Sequence, residues 1–434
     1  MKAFIFVLIL FFYQCTIPAE TPENILKEID GLISEIPAST RMAIMIYNPL
    51  TEDTLISINP AEPMIPASNT KLFTSAVALE LMGGDYLLST KILSDDFDYS
   101  DGIIEGNIYI KGFGNPVFES DDLDELVKQL YDSGIRKITG DVVGDDTYFD
   151  DVYSRDDWIN EERANVKLPP ISALVLDRNR TTVTKKRKGR YRTYFVNVQD
   201  PPHFIAKKFK ETLISYGVEV LGDPISSQAI DTAKILAEST IPLRDLLQLI
   251  NKKSDNFLAE CLFKNLGAVY SGQQGNSFFS TQAILSYIRD NGIYSEGTQI
   301  VDGSGISRFD QVTVGALTGL LEKIYFNINN FNDFYNSLSI AGVDGTLEDR
   351  MIGTLAQNNF RGKTGTLNGV SSLSGYLTTA DGDDLIICII FEFQKGGARK
   401  YRDIQDSIVE ILAGWQNKSP EYFFRALILK FSQI

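Results

Sequence analysis

The spacing of apolar positions changes several times along this chain, and each change marks an element. In residues 24–36 Ile25, Ile29, Leu32 and Ile33 recur at helical spacing. Two strand-like runs follow, 42–47 and 54–58, with the turn signal Asn48-Pro49-Leu50 between them, which predicts a hairpin. An extended approach at 63–67 leads into a helix predicted from Ser68 to Met82 and stopped by Gly83-Gly84. Near Leu88 the texture changes. As far as about Ile241, short strands, glycine turns and acidic loops dominate, with strands at 104–112 and 138–144 and helices at 121–133 and 203–216. Helical spacing returns at 243–266, 278–290 and 314–325. The runs 371–379 and 384–393 are apolar, and Asp381-Gly382-Asp383 joins them as a hairpin in the main sheet. A helix at 399–415 closes the body. The aromatic segment 419–434 (Tyr422, Phe423, Phe424, Phe431) then packs back on it or docks elsewhere.

The chain has 434 residues, too many for one simple core, so at least two structural units are expected. Hydrophobic residues make up 44% and charged residues 23%, an ordinary globular balance. The net charge of -16 argues against nucleic acid and against anionic lipid as partners. Met1-Lys2 followed by the apolar run 3–13 reads as an export signal, too short to span a bilayer, with cleavage after Ala19. Lipid modification of Cys15 is the alternative, although Tyr13-Gln14 makes a poor lipobox, and membrane contact is expected only in that case. Cys261 and Cys388 stand in apolar contexts and read as buried thiols, with a disulfide between them left open.

A single histidine, His203, narrows the chemistry. A Ser-His-Asp triad would have to use it, and a zinc site with two or three histidines is impossible. Any nucleophilic serine therefore takes its base from a lysine. Ser68 and Lys71 are three apart, which on a helix places amine and hydroxyl on one face, with Ser68 at the positive end of the helix. The lysine must be neutral to act, and desolvation together with a second cation, Lys363, would lower its pKa. Ser254-Asp255-Asn256 supplies a hydroxyl to relay a proton and an amide to hold Lys71 or the substrate backbone. Lys363-Thr364-Gly365-Thr366 is expected on an edge strand. There Gly365 admits a substrate strand, Lys363, Thr364 and Thr366 bind a carboxylate, and the backbone near Thr366 donates to an acyl oxygen. Each cluster alone is a common pattern: a serine-capped helix start, a turn, a polar strand. Their order, followed by an apolar hairpin and a closing helix, is not common.

S-x-x-K, S-D-N and K-T-G are the marks of penicillin-binding proteins and class A β-lactamases. The chain resembles the low-molecular-mass class C penicillin-binding proteins, the D-alanyl-D-alanine carboxypeptidase/endopeptidase family. The resemblance extends to residues 140–150, 172–179, Asp302-Gly303-Ser304-Gly305-Ile306-Ser307-Arg308, 342–347, 362–370 and Leu373-Ser374-Gly375-Tyr376. It departs from the family at Gly114-Asn115-Pro116, where Gly-Asp-Pro is usual. Ser68 and Ser254 are 186 positions apart, more than a compact β-lactamase needs, so an insert of about one domain is implied.

The resemblance implies an α/β (α+β) fold: a penicillin-binding/β-lactamase-like transpeptidase domain, its antiparallel sheet flanked by helices, with a large inserted α+β region. The division it implies is a signal at 1–19, a peptidase domain from 20–88 plus 241–415, an insert at 89–240 and an appendage at 416–434. It further implies a serine D-Ala-D-Ala carboxypeptidase, with endopeptidase activity beside it, acting on peptidoglycan stem peptides and inhibited by β-lactam antibiotics. No cofactor or metal is implied, and an exported, periplasmic location is. Ser68 would be acylated, Lys71 the base, Ser254 the relay, Asn256 their orienter, and Lys363, Thr364 and Thr366 the carboxylate grip. Asp146 in the insert is the candidate for reading the free amine of diaminopimelate, or else a turn carboxylate. Two rivals stand beside this reading. A β-lactamase needs a deacylating glutamate that no loop obviously supplies, and a non-catalytic wall-binding protein predicts lost motif residues. The basic run Lys185-Lys186-Arg187-Lys188-Gly189-Arg190-Tyr191-Arg192 reads as a solvated hairpin turning at Gly189, or as a contact for an anionic cell-wall polymer or a partner.

Overall fold

The computed structural model describes residues 22–416, apart from 97, 100, 159–167, 188, 295 and 395. The signal-like segment with Cys15 and the aromatic segment beyond 416 lie outside the described residues.

The main sheet is six-stranded and antiparallel throughout, in the order Ser339–Ile340, Arg361–Leu367, Val370–Thr378, Asp384–Glu392, Arg41–Asn48, Asp53–Ile58. Its centre is the apolar run 384–392, buried on both faces. Leu385, Ile387, Ile389 and Phe391 point to one core with Ile25 and Ile29 of the Pro22–Ser34 helix and Tyr401 and Ile408 of the Ala398–Ala413 helix. Ile386, Cys388 and Ile390 point to the other, against the helices Thr70–Met82 and Val314–Tyr325. This period-two division makes an all-apolar strand the only one that suits both layers.

The Thr70–Met82 helix is buried on every side from Thr70 to Leu79. Small and polar residues make that tolerable because each polar group finds a partner. Thr70 Oγ1 donates to Asp310, Thr74 Oγ1 to the Gly303 carbonyl, and Asn251 donates to Ser75 Oγ.

Between Leu87 and Pro242 the chain builds a second layer system. A five-stranded sheet runs in the order Pro224–Ser226, Val142–Asp145, Ile108–Phe113, Leu87–Ser94, Lys234–Pro242. Beside it lies a small parallel sheet, Glu219–Val220, Lys137–Ile138, Ile103–Ile104. The helices Ser120–Asp132 and Pro201–Ser215 cover them through Leu126, Leu130, Phe209 and Leu213. The strands expected at 104–112 and 138–144 are each broken in two. Three successive chain segments pass from the small sheet to the large one, and each crosses at a glycine: Gly106, Gly140 and Gly222. They cross so closely that Gly140 N–H donates to the Gly106 carbonyl at 2.9 Å. A Cβ on Gly140 would lie 2.4 Å from Gly106 backbone, and one on Gly222 2.2 Å from the Gly140 carbonyl oxygen. Alternation alone could not reveal the break, because the residues on either side of it still alternate.

Cys261 and Cys388 are buried free thiols. His203 is exposed on its helix and uses only its backbone N–H, donating to Asp200. The Lys185–Arg192 run is a hairpin turning at Gly189, formed by the strands Arg180–Arg187 and Arg190–Asn197.

Gly140→Ala is expected to lower the urea unfolding midpoint by the equivalent of about 1–3 kcal/mol, the range for overpacking a closed site. An unchanged midpoint would show that the crossing can open.

Candidate active site

Ser68 lies in the short 3-10 turn Ala67–Asn69 that leads into the Thr70–Met82 helix. The residue before it, Ala67, is held at φ +49°, a left-handed conformation that a non-glycine residue adopts at a cost. Two contacts impose it. Gly305 packs so tightly that a Cβ there would sit 1.9 Å from the Ala67 carbonyl oxygen. From the other side the Arg361–Leu367 strand presses in, where a Cβ on Gly365 would meet Ser372 Oγ at 2.1 Å, the Pro66 carbonyl oxygen at 2.8 Å and Ser68 N at 3.0 Å. Gly365 is therefore small to admit the serine turn of its own chain, a closer reason than the approach of a substrate strand.

Lys71 Nζ lies 3.0 Å from Ser68 Oγ and donates to Asn256 Oδ1 and to the Ser304 carbonyl, each at 2.6 Å. Its side chain is wholly buried, while Ser68 is partly exposed. Burial pushes the amine down to about 8, against the opposing charges of Asp302, Glu260, Asp255 and Asp310. Lys363 is equally buried and is driven well below its ordinary value, by desolvation first and then by the charge of Lys71. The sequence suggested that Lys363 would depress Lys71. The repulsion between two ammonium groups is mutual, so each disfavours the charged form of the other, and the carboxylates around Lys71 oppose that effect there.

The 243–266 helical stretch breaks into the helices Leu243–Lys253 and Asn256–Ser271. Ser254 ends the first in the left-handed conformation, φ +54°, and Asp255 caps the second by accepting from Leu258 N–H at 3.0 Å. The kink turns the Ser254 hydroxyl toward Lys363, whose Nζ donates to it at 2.9 Å. Among the described residues Ser254 Oγ is paired with Lys363 and Asn256 with Lys71, so each amine has its own member of the S-D-N cluster.

Lys363 also donates to its neighbour's carbonyl, that of Thr364, at 2.9 Å, and Thr364 Oγ1 donates to Thr346 Oγ1 at 2.8 Å. The strand is nearly an edge strand: Ser339–Ile340 pairs only with Gly362 and Arg361. From Lys363 onward no strand among the described residues covers that side. The result is a shallow crevice, with the hydroxyls of Ser68, Ser254 and Thr364 partly exposed, Thr366 exposed, and the two amines sealed beneath.

Asp146 is held within the inserted unit. Its Oδ2 accepts from Tyr153 OH at 2.7 Å and Ser172 Oγ at 2.8 Å, and burial raises its pKa. The carboxylate ties two loops of the inserted unit together, the turn-like alternative.

Several site residues escaped the sequence reading. Asp302 accepts four N–H donors, from Ser304 (3.2 Å), Gly305 (2.7 Å), Ser307 (2.8 Å) and the Trp158 indole (3.0 Å), and so shapes the loop whose Ser304 carbonyl holds Lys71. Glu260, on the next turn of the helix after Asn256, accepts from Gly303 N–H and is raised to about 8 by burial and then by Asp302. Arg178 Nη2 donates to Asp255 at 2.9 Å from a turn in which Asp177, Arg178 and Asn179 all have positive φ, +49°, +57° and +50°. The segments 172–179 and 302–308 were visible as motifs. Which motif touches which depends on contacts more than 70 positions apart, and spacing carries no such information.

Arg178→Ala should slow penicillin acylation of Ser68 about three- to tenfold, a part-exposed ion pair discounted for screening. Arg178→Lys should recover only part, because one ammonium cannot both hold Asp255 and lie flat 4.8 Å over the Phe257 ring. Unchanged acylation in both variants would mean that the turn does not position the S-D-N kink.

Comparison with known proteins agrees with this geometry. The chain is 28% identical over 469 aligned positions to a D-alanyl-D-alanine carboxypeptidase of an Actinomadura species, covering 91% of this chain and 86% of that one. It is 25% identical over 413 positions to the D-alanyl-D-alanine carboxypeptidase DacB of Haemophilus influenzae, covering 82% and 86%. The crystal structure of penicillin binding protein 4 (dacB) from Haemophilus influenzae superposes with a TM-score of 0.76 at 23% identity, over 89% of this chain and 99% of that one, which establishes a shared fold. The sequence profile of the D-Ala-D-Ala carboxypeptidase 3 (S13) family matches residues 25–194 and 187–415, and the protein belongs to that family.

Proposed function

We propose that this protein is a serine-type D-Ala-D-Ala carboxypeptidase that hydrolyses peptidoglycan stem peptides through an acyl-enzyme on Ser68, and that β-lactams trap the same serine. One observation carries the reading: a buried lysine amine 3.0 Å from an accessible serine hydroxyl, in a chain whose lone histidine is elsewhere. Family membership supports it.

In this mechanism neutral Lys71 takes the Ser68 proton as Oγ attacks the penultimate D-alanine carbonyl. Asn256 and the Ser304 carbonyl fix the amine so that its lone pair faces Ser68. The backbone N–H groups near Ser68 and Thr366 stabilise the oxyanion. Ser254, oriented by Lys363, delivers a proton to the departing D-alanine nitrogen. Lys363, Thr364 and Thr366 attract the terminal carboxylate along the open strand edge, where an extended peptide finds unpaired backbone groups. Water then cleaves the Ser68 ester, releasing the shortened stem peptide and returning the hydroxyl. Among the described residues, the glutamate in this cluster, Glu260, accepts from the Gly303 backbone and is buried, which supports a peptidase over a β-lactamase with fast deacylation. We further propose that residues 1–19 direct export to the periplasm, with a lipid anchor at Cys15 as the alternative.

Ser68→Ala is expected to abolish covalent penicillin labelling and to reduce release of D-alanine from purified muropeptides by more than about 10⁴-fold. Mass analysis of the same digests separates loss of one alanine from severed cross-links. Persisting label would remove Ser68 as the nucleophile. Lys71→Ala should stop acylation while the fold persists, because removing a buried amine removes a desolvation cost. Unaltered labelling there would point to another base.

The pH dependence follows from Lys71. Below about 8 its amine is protonated and cannot accept the Ser68 proton. Acylation by penicillin should therefore rise about tenfold per pH unit up to that value and then level off. A flat profile from about pH 6 to 9 would exclude Lys71 as the titrating base.

A further inference from the structure

The hairpin Arg180–Arg187/Arg190–Asn197 is exposed on both faces over most of its length and pairs with no other strand among the described residues. Directly opposed residues of an antiparallel pair share a face. The register sets Arg187 against Arg190 and Lys185 against Arg192, so four cations stand together on one face, two like-charged pairs in succession. Like charges in directly opposed positions weaken a hairpin, and a free-standing two-stranded ribbon is marginal to begin with. Among the described residues nothing offsets this: none of the four has an acidic partner, in a chain of net charge -16. The opposite face carries Thr182, Thr184 and Thr193 with the exposed rings of Tyr191 and Phe195 and two separated cations, Arg180 and Lys186, while Tyr194 lies on the face of the four.

We propose that the cationic face of this ribbon is a binding site for a linear phosphodiester polyanion. Along each strand the cations repeat every ~6.8 Å, and across the pair they are ~5 Å apart, a ladder suited to successive charges on an extended chain rather than to one compact ion. Three of the four are arginines, whose planar fork pairs with phosphate oxygens two at a time. The exposed part of the ribbon runs for ~20 Å, more than two Debye lengths at physiological salt. The negative charge of the body is thus screened from a polymer held near the tip. A bilayer is the weaker fit, because the two most exposed rings, Tyr191 and Phe195, lie on the face opposite the four cations, and the two groups cannot meet one flat interface together.

The test uses the full chain and end-labelled poly(glycerol phosphate), followed by fluorescence anisotropy. Binding should weaken about 50-fold between roughly 50 and roughly 200 mM salt, as four neutralised phosphates release their counterions. Replacing Lys185, Arg187, Arg190 and Arg192 together by Gln should remove binding and leave penicillin labelling of Ser68 intact, so that a failure here is separate from a failure of the proposed activity. Tyr191→Ser with Phe195→Ser should bind the polymer as before. No binding by the unaltered protein, equal binding by the four-glutamine variant, or binding confined to phosphatidylglycerol vesicles would each overturn the proposal.

Discussion

Lys71 has its amine out of water, beneath a serine hydroxyl that remains in it. Placing an ammonium there would cost several kcal/mol, more than most single contacts return, and much of the surrounding structure can be understood as bearing on that cost. The Thr70–Met82 helix that carries the lysine is enclosed by both halves of the main domain. The 302–310 loop lies against it, with Asp302 organising four N–H groups and Ser304 offering a carbonyl. The inserted unit closes the far side through Trp158 on Asp302 and Arg155 on the Val301 carbonyl. The insert is therefore part of the enclosure that sets the amine's proton affinity, as well as a separate sheet system.

Two opposed influences act on that amine. Desolvation drives it toward neutrality, whereas the carboxylates of Asp302, Glu260, Asp255 and Asp310 pull it back. Burial alone would leave a base too weak to take a proton from serine, and the carboxylates alone would leave it permanently protonated. The balance, at about 8, lies close to working pH, where a general base is most effective. Glu260, raised to about 8, and Asp310, raised well above its ordinary value by burial and then by Asp302, share the same enclosure. The site is best regarded as a group of buried titrating side chains with the serine at its one open face.

What could be read in the sequence follows from the range of the interaction involved. The Ser68–Lys71 pairing is local, one helical turn, and spacing fixes it. The 384–392 strand was visible because burial on both faces demands an unbroken apolar run. The glycine crossings at 106, 140 and 222 were not, because each glycine's role lies in the backbone of another segment. The break at Ser254-Asp255 hid inside a continuous helical pattern, since a left-handed residue and a capping aspartate leave the apolar period on either side intact. Asp146 illustrates a different limit. A carboxylate in a recognisable segment suggests a binding role, and its spacing does not show the Tyr153 and Ser172 hydroxyls that it accepts from. How strongly Lys71 is held protonated likewise depends on where acidic residues 184 to 239 positions away come to rest.

The short strand Ser339–Ile340 covers only the first two residues of its neighbour. Bare sheet edges invite pairing with another molecule of the same protein, a common start to aggregation. Here the uncovered stretch runs only from Lys363 to Leu367 before the chain turns at Gly369 into Val370–Thr378. That is long enough for a few residues of extended peptide and too short to nucleate a shared sheet. Curtailing the edge, rather than covering it, lets the protein keep a reactive border without becoming sticky toward itself.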